Sequence, residues 1–175
     1  PIVSSLDNGL RIVEVEMPQA RSLTALLMIK VGSRYEQKKI AGLSHFIEHI
    51  VFKGTKDYPT ALDLASEVDG IGAEFNAFTF KEQTGFYVKA ASEHLKLALK
   101  VLSQMVWHPL LREKDIQKEK GVIIEEINMR EDTPMIKIAD EFEGLIYSNT
   151  SLGRKTIGFK KTVNGLLKKD FVDFR

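Results

Sequence analysis

Hydrophobic periodicity changes in blocks along this chain, and that constrains the fold more than any single residue does. Asp7-Asn8-Gly9 is a turn signal, and Leu10 to Val15 after it reads as a strand. Ser22 to Val31 is apolar enough for a second, buried strand, which Gly32-Ser33-Arg34 ends. The period then lengthens. Gly42 to about Lys53 carries Phe46, Ile47, Ile50 and Val51 at helical spacing, and Pro59-Thr60 opens a helix from Ala61 to about Val68. Asp69-Gly70-Ile71-Gly72 breaks it. Glu74 to Phe80 and Thr84 to Ala90 read as two strands around a short turn, with Phe75, Ala77 and Thr79 on one face and Asn76, Phe78 and Phe80 on the other.

The rest reads as helical. Ser92 to Trp107 is expected to be an amphipathic helix capped by Ser92, with Leu95, Leu97, Leu99, Leu102 and Val106 as its apolar positions. Glu113 to about Glu131 is a long helix. Thr133-Pro134 reads as the N-cap and first-turn proline of another, reaching Tyr147. Asn149 to Gly158 is loop, and Thr162 onward is one last helix. Blocks of this kind do not make the strict alternation of a doubly wound sheet. The expected class is α+β: a largely antiparallel β-sheet covered by helices on one side, in a single domain spanning residues 1–175.

Composition removes several functions. Hydrophobic residues are 43% and charged residues 28%, so a soluble, globular chain is expected. Its 25 basic and 24 acidic residues nearly cancel, and no basic run or membrane-length apolar stretch occurs, so neither nucleic acid nor membrane is an expected partner. No charged-then-apolar leader opens the sequence, which gives a cytoplasmic expectation. There is no cysteine, so any metal must be held by His and carboxylates.

Chemistry concentrates at His45-Phe46-Ile47-Glu48-His49. On a helix, residues i and i+4 share a face, so His45 and His49 can aim two imidazoles at one point, with Glu48 on the same side. Two imidazoles and a third ligand hold zinc with a position open for water, whose proton a neighbouring carboxylate can take. H-x-x-E-H is the inverzincin order. A pair of solvated histidines beside an acid would be the plain alternative, but two of only four His falling at ligand spacing around a Glu argues for a metal. The third ligand must come from elsewhere. In the long helix Glu125-Glu126 interrupts an apolar stretch, and a metal would partner such a carboxylate. Spacing does not choose between Glu125 and Glu126, and Glu113, Glu119 and Glu131 read as a solvated face. His94 and His108 receive no role.

The combination resembles the pitrilysin/insulinase family of zinc metallopeptidases, near its processing-peptidase branch. Gly42 to Thr55 is similar to the family's signature helix and following loop. Gly72 to Thr79, with Glu82, Thr84 and Tyr87, resembles its active-site edge strand and the strand after it. Glu119 and Val122 to Ile127, then Glu131 to Pro134, resemble its glutamate helix. Leu152-Gly153-Arg154 and Ile157-Gly158 resemble a later loop.

The resemblance implies one Zn2+ per chain on His45, His49 and Glu126, with Glu48 as general base and Glu119 as a supporting catalytic residue. It implies an extended peptide substrate along Glu74 to Phe80, contacted by Asn76, Ala77, Phe78 and Glu82. It also implies a chain that stops before the family's final strand, and a second homologous domain or subunit to complete the chamber. The activity implied is zinc-dependent endopeptidase. A non-catalytic or partner-dependent peptide-binding subunit is the alternative, and a purely structural zinc site is disfavoured because it would have no need of Glu48.

Overall fold

The computed structural model describes residues 1–175. A hairpin, β1 (Ile2–Ser5) and β2 (Arg11–Glu14), pairs antiparallel through the turn at Gly9. The main sheet has β3 (Ser22–Ile29), β4 (Glu74–Thr79) and β5 (Thr84–Ala91) in the order β3-β5-β4, all antiparallel. This is the expected α+β arrangement, with β4 left on the sheet's edge. Seven helices follow or interleave: α1 (Leu43–Ile50), α2 (Ala61–Asp69), α3 (Leu95–Trp107), α4 (Glu113–Asp132), α5 (Pro134–Ile146), α6 (Lys160–Gly165) and α7 (Lys168–Phe174). No helix is long and apolar enough to cross a membrane.

Two apolar cores meet at α1. On the sheet side, Phe86 and Val88 of β5 pack with Leu64 and Val68 of α2 and with Val101 and Met105 of α3. On the other side, Leu43, Phe46 and Ile50 of α1 pack with Ile116, Ile123 and Ile127 of α4 and Phe171 of α7. Ile47 touches both cores. The rings of Phe46 and Phe171 meet edge to face with centroids 4.8 Å apart. Leu43, Phe46, Ile47 and Ile50 recur at helical spacing, so burying that stripe turns His45, Glu48 and His49 outward together.

Several sequence expectations change. β3 is not buried on both faces: it alternates, leaving Leu26 and Met28 about half exposed (48% and 50%). Along α3 the buried stripe is Ala98, Val101, Leu102 and Met105, while Leu95 and Leu99 lie on the flank in solvent. Several leucines around that helix could have supplied a stripe, and contact with β5 selects this one. Ser92 opens a 3-10 turn, Ser92–His94, instead of capping the helix. The last segment is two helices, because Leu166 is buried between them and Asp170 accepts a hydrogen bond from the Leu167 N–H at 2.8 Å, starting α7 afresh. Thr133 does not cap α5 with its side chain; its hydroxyl donates to the Met129 carbonyl.

Candidate metal centre

The N-terminus of α1 is held by a residue outside it. Gly42, at φ +98°, begins the helix, and Oε2 and Oε1 of buried Glu36 accept from the Gly42 and Ser44 N–H groups at 2.7 and 2.6 Å. A carboxylate there satisfies two otherwise unpaired donors and complements the helix dipole. Burial pushes the Glu36 carboxyl up, against the pull of the two N–H bonds and of Arg154. Gly42 needs to be glycine: a Cβ there would meet the Ile157 carbonyl oxygen at 2.5 Å. The loop containing Ile157 and Gly158 thus seals one end of the helix that carries the histidines.

From α1, His45 and His49 project side by side, with ring centroids 4.6 Å apart. Helix α4 packs across them. Glu119 and Glu126 are two helical turns apart and share the face turned to α1. Nε2 of His45 lies 3.6 Å from Oε1 of Glu126, and Nε2 of His49 lies 3.5 Å from Oε2. Ligand atoms of all three residues fall within 4.8 Å of one another. Bonds of about 2.0–2.2 Å in a tetrahedron put ligand atoms about 3.4 Å apart; the two His–Glu126 separations lie close to that, and the three residues form a group that could hold a metal ion. Glu125 points away, exposed, and accepts from the Asn128 side chain. Of the two, it is Glu126 that lies beside the imidazoles.

Glu119 is not on a solvated face, as its position alone suggested; its side chain is only 3% exposed. Oε1 lies 3.0 Å from Nδ1 of His49, and Oε2 lies 2.8 Å from Nζ of Lys53. Glu113 and Glu131 are exposed as expected.

Charges follow from this packing. For His45, burial dominates over Glu126 and lowers the imidazole to about 4. For His49, burial also works downward, but hydrogen bonds and charge from Glu119 and Glu126 outweigh it and raise the imidazole to about 9. Burial works to raise Glu119, yet His49 and Lys53 hold its carboxyl below the usual range. The His49 contact does the same for Glu126. Glu48 goes the other way: burial raises its carboxyl. A half-buried carboxylate with a raised pKa beside a metal-ligand set can act as a general base.

Comparison with known proteins gives the same family as the motifs. The model of the insulinase family of peptidases, family M16, matches residues 11–160. The chain belongs to the insulinase family. A zinc protease of Rickettsia felis is 38% identical over 172 residues, 98% of this chain and 42% of the relative. The mitochondrial-processing peptidase subunit beta of Rattus norvegicus is also 38% identical, over 98% of this chain and 35% of its own length. Among solved structures, a protease from Helicobacter pylori superposes with a TM-score of 0.93 at 26% identity, over 99% of this chain and 42% of that one. Pitrilysin superposes with a TM-score of 0.84 at 28% identity, over 98% and 19%. The chain spans less than half the length of these relatives.

In this insulinase-family domain two of the three candidate ligands, His45 and Glu126, border a cleft of about 640 Å³, and His49, beside Glu126, lies outside its lining. His45, Glu48 and Glu126 line one side, Ala77, Phe78 and Glu82 another, and Arg130, Asp140 and Glu143 a third. Of the expected peptide-contact residues, Asn76 is the one outside the lining: it is exposed, and its Oδ1 accepts from the Ala77 N–H at 2.8 Å. Glu82 is ion-paired with Arg34. Phe86 is core, Phe80 is more than half exposed, and Phe78 and Phe80 meet with ring centroids 5.3 Å apart. Reading the sequence by motif missed Glu36 and Lys53. Only Lys53 left a signal, since His45, His49 and Lys53 continue one four-residue step.

Proposed function

We propose that this chain is the catalytic half of a zinc-dependent endopeptidase, acting on extended peptides or unfolded segments, with residues 1–175 as one domain. The observation that carries this reading is the convergence of two imidazole Nε2 atoms on the Glu126 carboxylate, beside a cleft that His45, Glu48 and Glu126 line. His45, His49 and Glu126 hold the zinc. When bound, the metal supplies Lewis acidity, polarising the scissile carbonyl and acidifying a water. Glu48 takes the proton of that water as its oxygen bonds to the carbonyl carbon, then delivers the proton to the leaving nitrogen as the C–N bond breaks. Glu119 fixes His49 through its Nδ1–H, leaving Nε2 free for the metal.

The substrate backbone pairs with the free edge of β4, with Ala77, Phe78 and Glu82 beside it and Asn76 at the rim. Helix α5 supports a second domain or subunit of similar fold closing this cleft. It turns charge inward, through Asp140 to Arg130 and Glu143 to Lys81, and presents Met135, Ile138, Phe142 and Leu145 to solvent at 61% exposure or more. The relatives have more than enough additional chain to cover it.

The test is a zinc and cleavage measurement on the full-length protein. About one zinc per chain is expected, kept by Glu48→Gln, with cleavage of an unstructured peptide reduced by more than about 100-fold. A Glu48→Gln protein that cleaves at the parental rate removes Glu48 as the base. A zinc-loaded parent that binds the peptide without cutting it makes this a peptide-binding subunit instead.

A further inference from the structure

Lys53 has no part in the ligand set, yet its ammonium reaches the one buried carboxylate that supports that set. It lies in the 3-10 turn Val51–Lys53 that extends α1, two four-residue steps beyond His45, so its side chain continues the stripe of His45 and His49 toward α4. Gly54 follows at φ +137°, where a Cβ would meet the Pro59 carbonyl oxygen at 2.4 Å. The chain must reverse there, which fixes where the Lys53 side chain starts. The side chain as a whole is 37% exposed, yet Nζ reaches Oε2 of Glu119 at 2.8 Å.

Glu119 has two oxygens and two partners, one on each. Oε1 faces Nδ1 of His49 and Oε2 faces Lys53. A carboxylate 3% exposed cannot make up a lost partner from solvent. An imidazole bound to a metal through Nε2 is neutral, so it offers Glu119 a hydrogen bond but no charge. Lys53 is then the residue in contact with Glu119 that carries a full positive charge. It also anchors the carboxylate against rotation, so that Oε1 stays aimed at Nδ1.

We propose that Lys53 is a positioning residue of the metal centre: by holding Oε2 of Glu119 it orients the carboxylate that fixes the His49 imidazole for zinc. This rests on the zinc reading above. The role runs through Glu119 and not through the metal or the substrate, and that ordering gives it a distinctive signature.

The experiment measures the zinc dissociation constant of the metal-free full-length protein by competition with a chromogenic chelator, for the parent, Lys53→Met, Lys53→Arg, Glu119→Gln and the Lys53→Met/Glu119→Gln double variant. Thermal unfolding of each metal-free protein is followed alongside. Lys53→Met is expected to weaken zinc binding by about 10-fold, the lower end for an outer partner of a metal ligand. Lys53→Arg, which keeps a cation of similar reach, is expected within about threefold of the parent, and Lys53→Met is expected to add no more than about twofold once Glu119 is Gln. Parental zinc affinity in Lys53→Met overturns the proposal. So does an equal loss from Lys53→Met with Glu119 present or replaced, since that places the effect outside this pair. Should Lys53→Met fold poorly, Lys53→Gln takes its place in the same cycle. A parent that binds no zinc overturns the metal reading itself, an outcome distinct from either of these.

Discussion

Oε1 of Glu119 lies 3.0 Å from Nδ1 of His49, although 70 positions separate the two in sequence. With zinc on Nε2, Nδ1 carries the proton and donates it to Glu119, so the carboxylate selects the tautomer the metal requires. His45 lacks this device: its Nδ1 is buried with no hydrogen-bond partner. Support for the pair of imidazoles is therefore one-sided. Glu119→Gln keeps an acceptor but loses the charge, and zinc affinity is expected to fall by about 10–100-fold, measured by chelator competition. His49→Ala removes a ligand and is expected to fall further. Equal losses in the two would remove the distinction drawn here between ligand and support.

Uptake of metal at this site should be coupled to protons in one direction. In the metal-free chain His49 is raised to about 9 and His45 is lowered to about 4, so near pH 7 His49 carries a proton and His45 does not. Zinc binds only the neutral ring. Binding at pH 7 is expected to release about one proton, from His49, with apparent affinity rising with pH until about 9. Calorimetric titrations in two buffers of different ionisation enthalpy measure that number directly. Folding of the metal-free chain follows the same linkage. Because the folded value lies above the free imidazole's, the stability His49 contributes is complete below about pH 6.5 and is lost as pH rises through about 9. Thermal unfolding with chelator present should show that loss, and His49→Ala should flatten it.

What the sequence disclosed was whatever obeys local periodicity. H-x-x-E-H on a helix placed His45, Glu48 and His49 together because four residues return to the same face. The antiparallel β4 and β5 followed from their alternation. Residues whose role depends on long-range packing were less legible. Nothing in Val122 to Ile127 distinguishes Glu125 from Glu126; the family pattern pointed to Glu126, and it is Glu126 that the α1–α4 packing brings beside the imidazoles. Leu95 and Leu99 looked like core because leucine spacing does not say which of two adjacent stripes meets β5. Glu36 lies in a loop before α1 with no motif around it, and only the fold brings its carboxylate to the helix end.

That carboxylate gives a prediction of its own. Glu36→Ala leaves the Gly42 and Ser44 N–H groups without their acceptors in a buried place. The expected cost is about 2 kcal/mol, since each lost charged hydrogen bond is offset in part by relief of the buried charge. For a chain of this size that is a fall in melting temperature of about 4–8 °C. Glu36→Gln, which retains one acceptor, should lose about half as much. Zinc affinity should change less than in Glu119→Gln, because Glu36 braces the helix and not an imidazole. A larger effect on metal than on melting would place Glu36 in the site itself.

Gly85 offers a way to move the substrate side of the cleft without touching the metal side. It stands in β5 opposite Phe78, and a Cβ there would meet the Phe78 ring at 2.2 Å, so Gly85→Ala must push that ring aside. Phe78 lines the same cleft as His45 and Glu48 and meets the tilted ring of Phe80, an exposed side chain that can give way. The displaced ring would then narrow or reshape the groove along β4. Zinc affinity is expected to stay within about twofold of the parent, because Gly85 and Phe78 are neither candidate ligands nor hydrogen-bond partners of one. Peptide KM is expected to rise several-fold with little change in kcat, the pattern of lost ground-state binding. Steady-state kinetics on peptides differing only in the side chains flanking the cut would show whether the penalty depends on side-chain size. A KM that does not move for any of them would put the peptide's path away from Phe78, and with it the assignment of the β4 edge as the substrate-binding strand would fall.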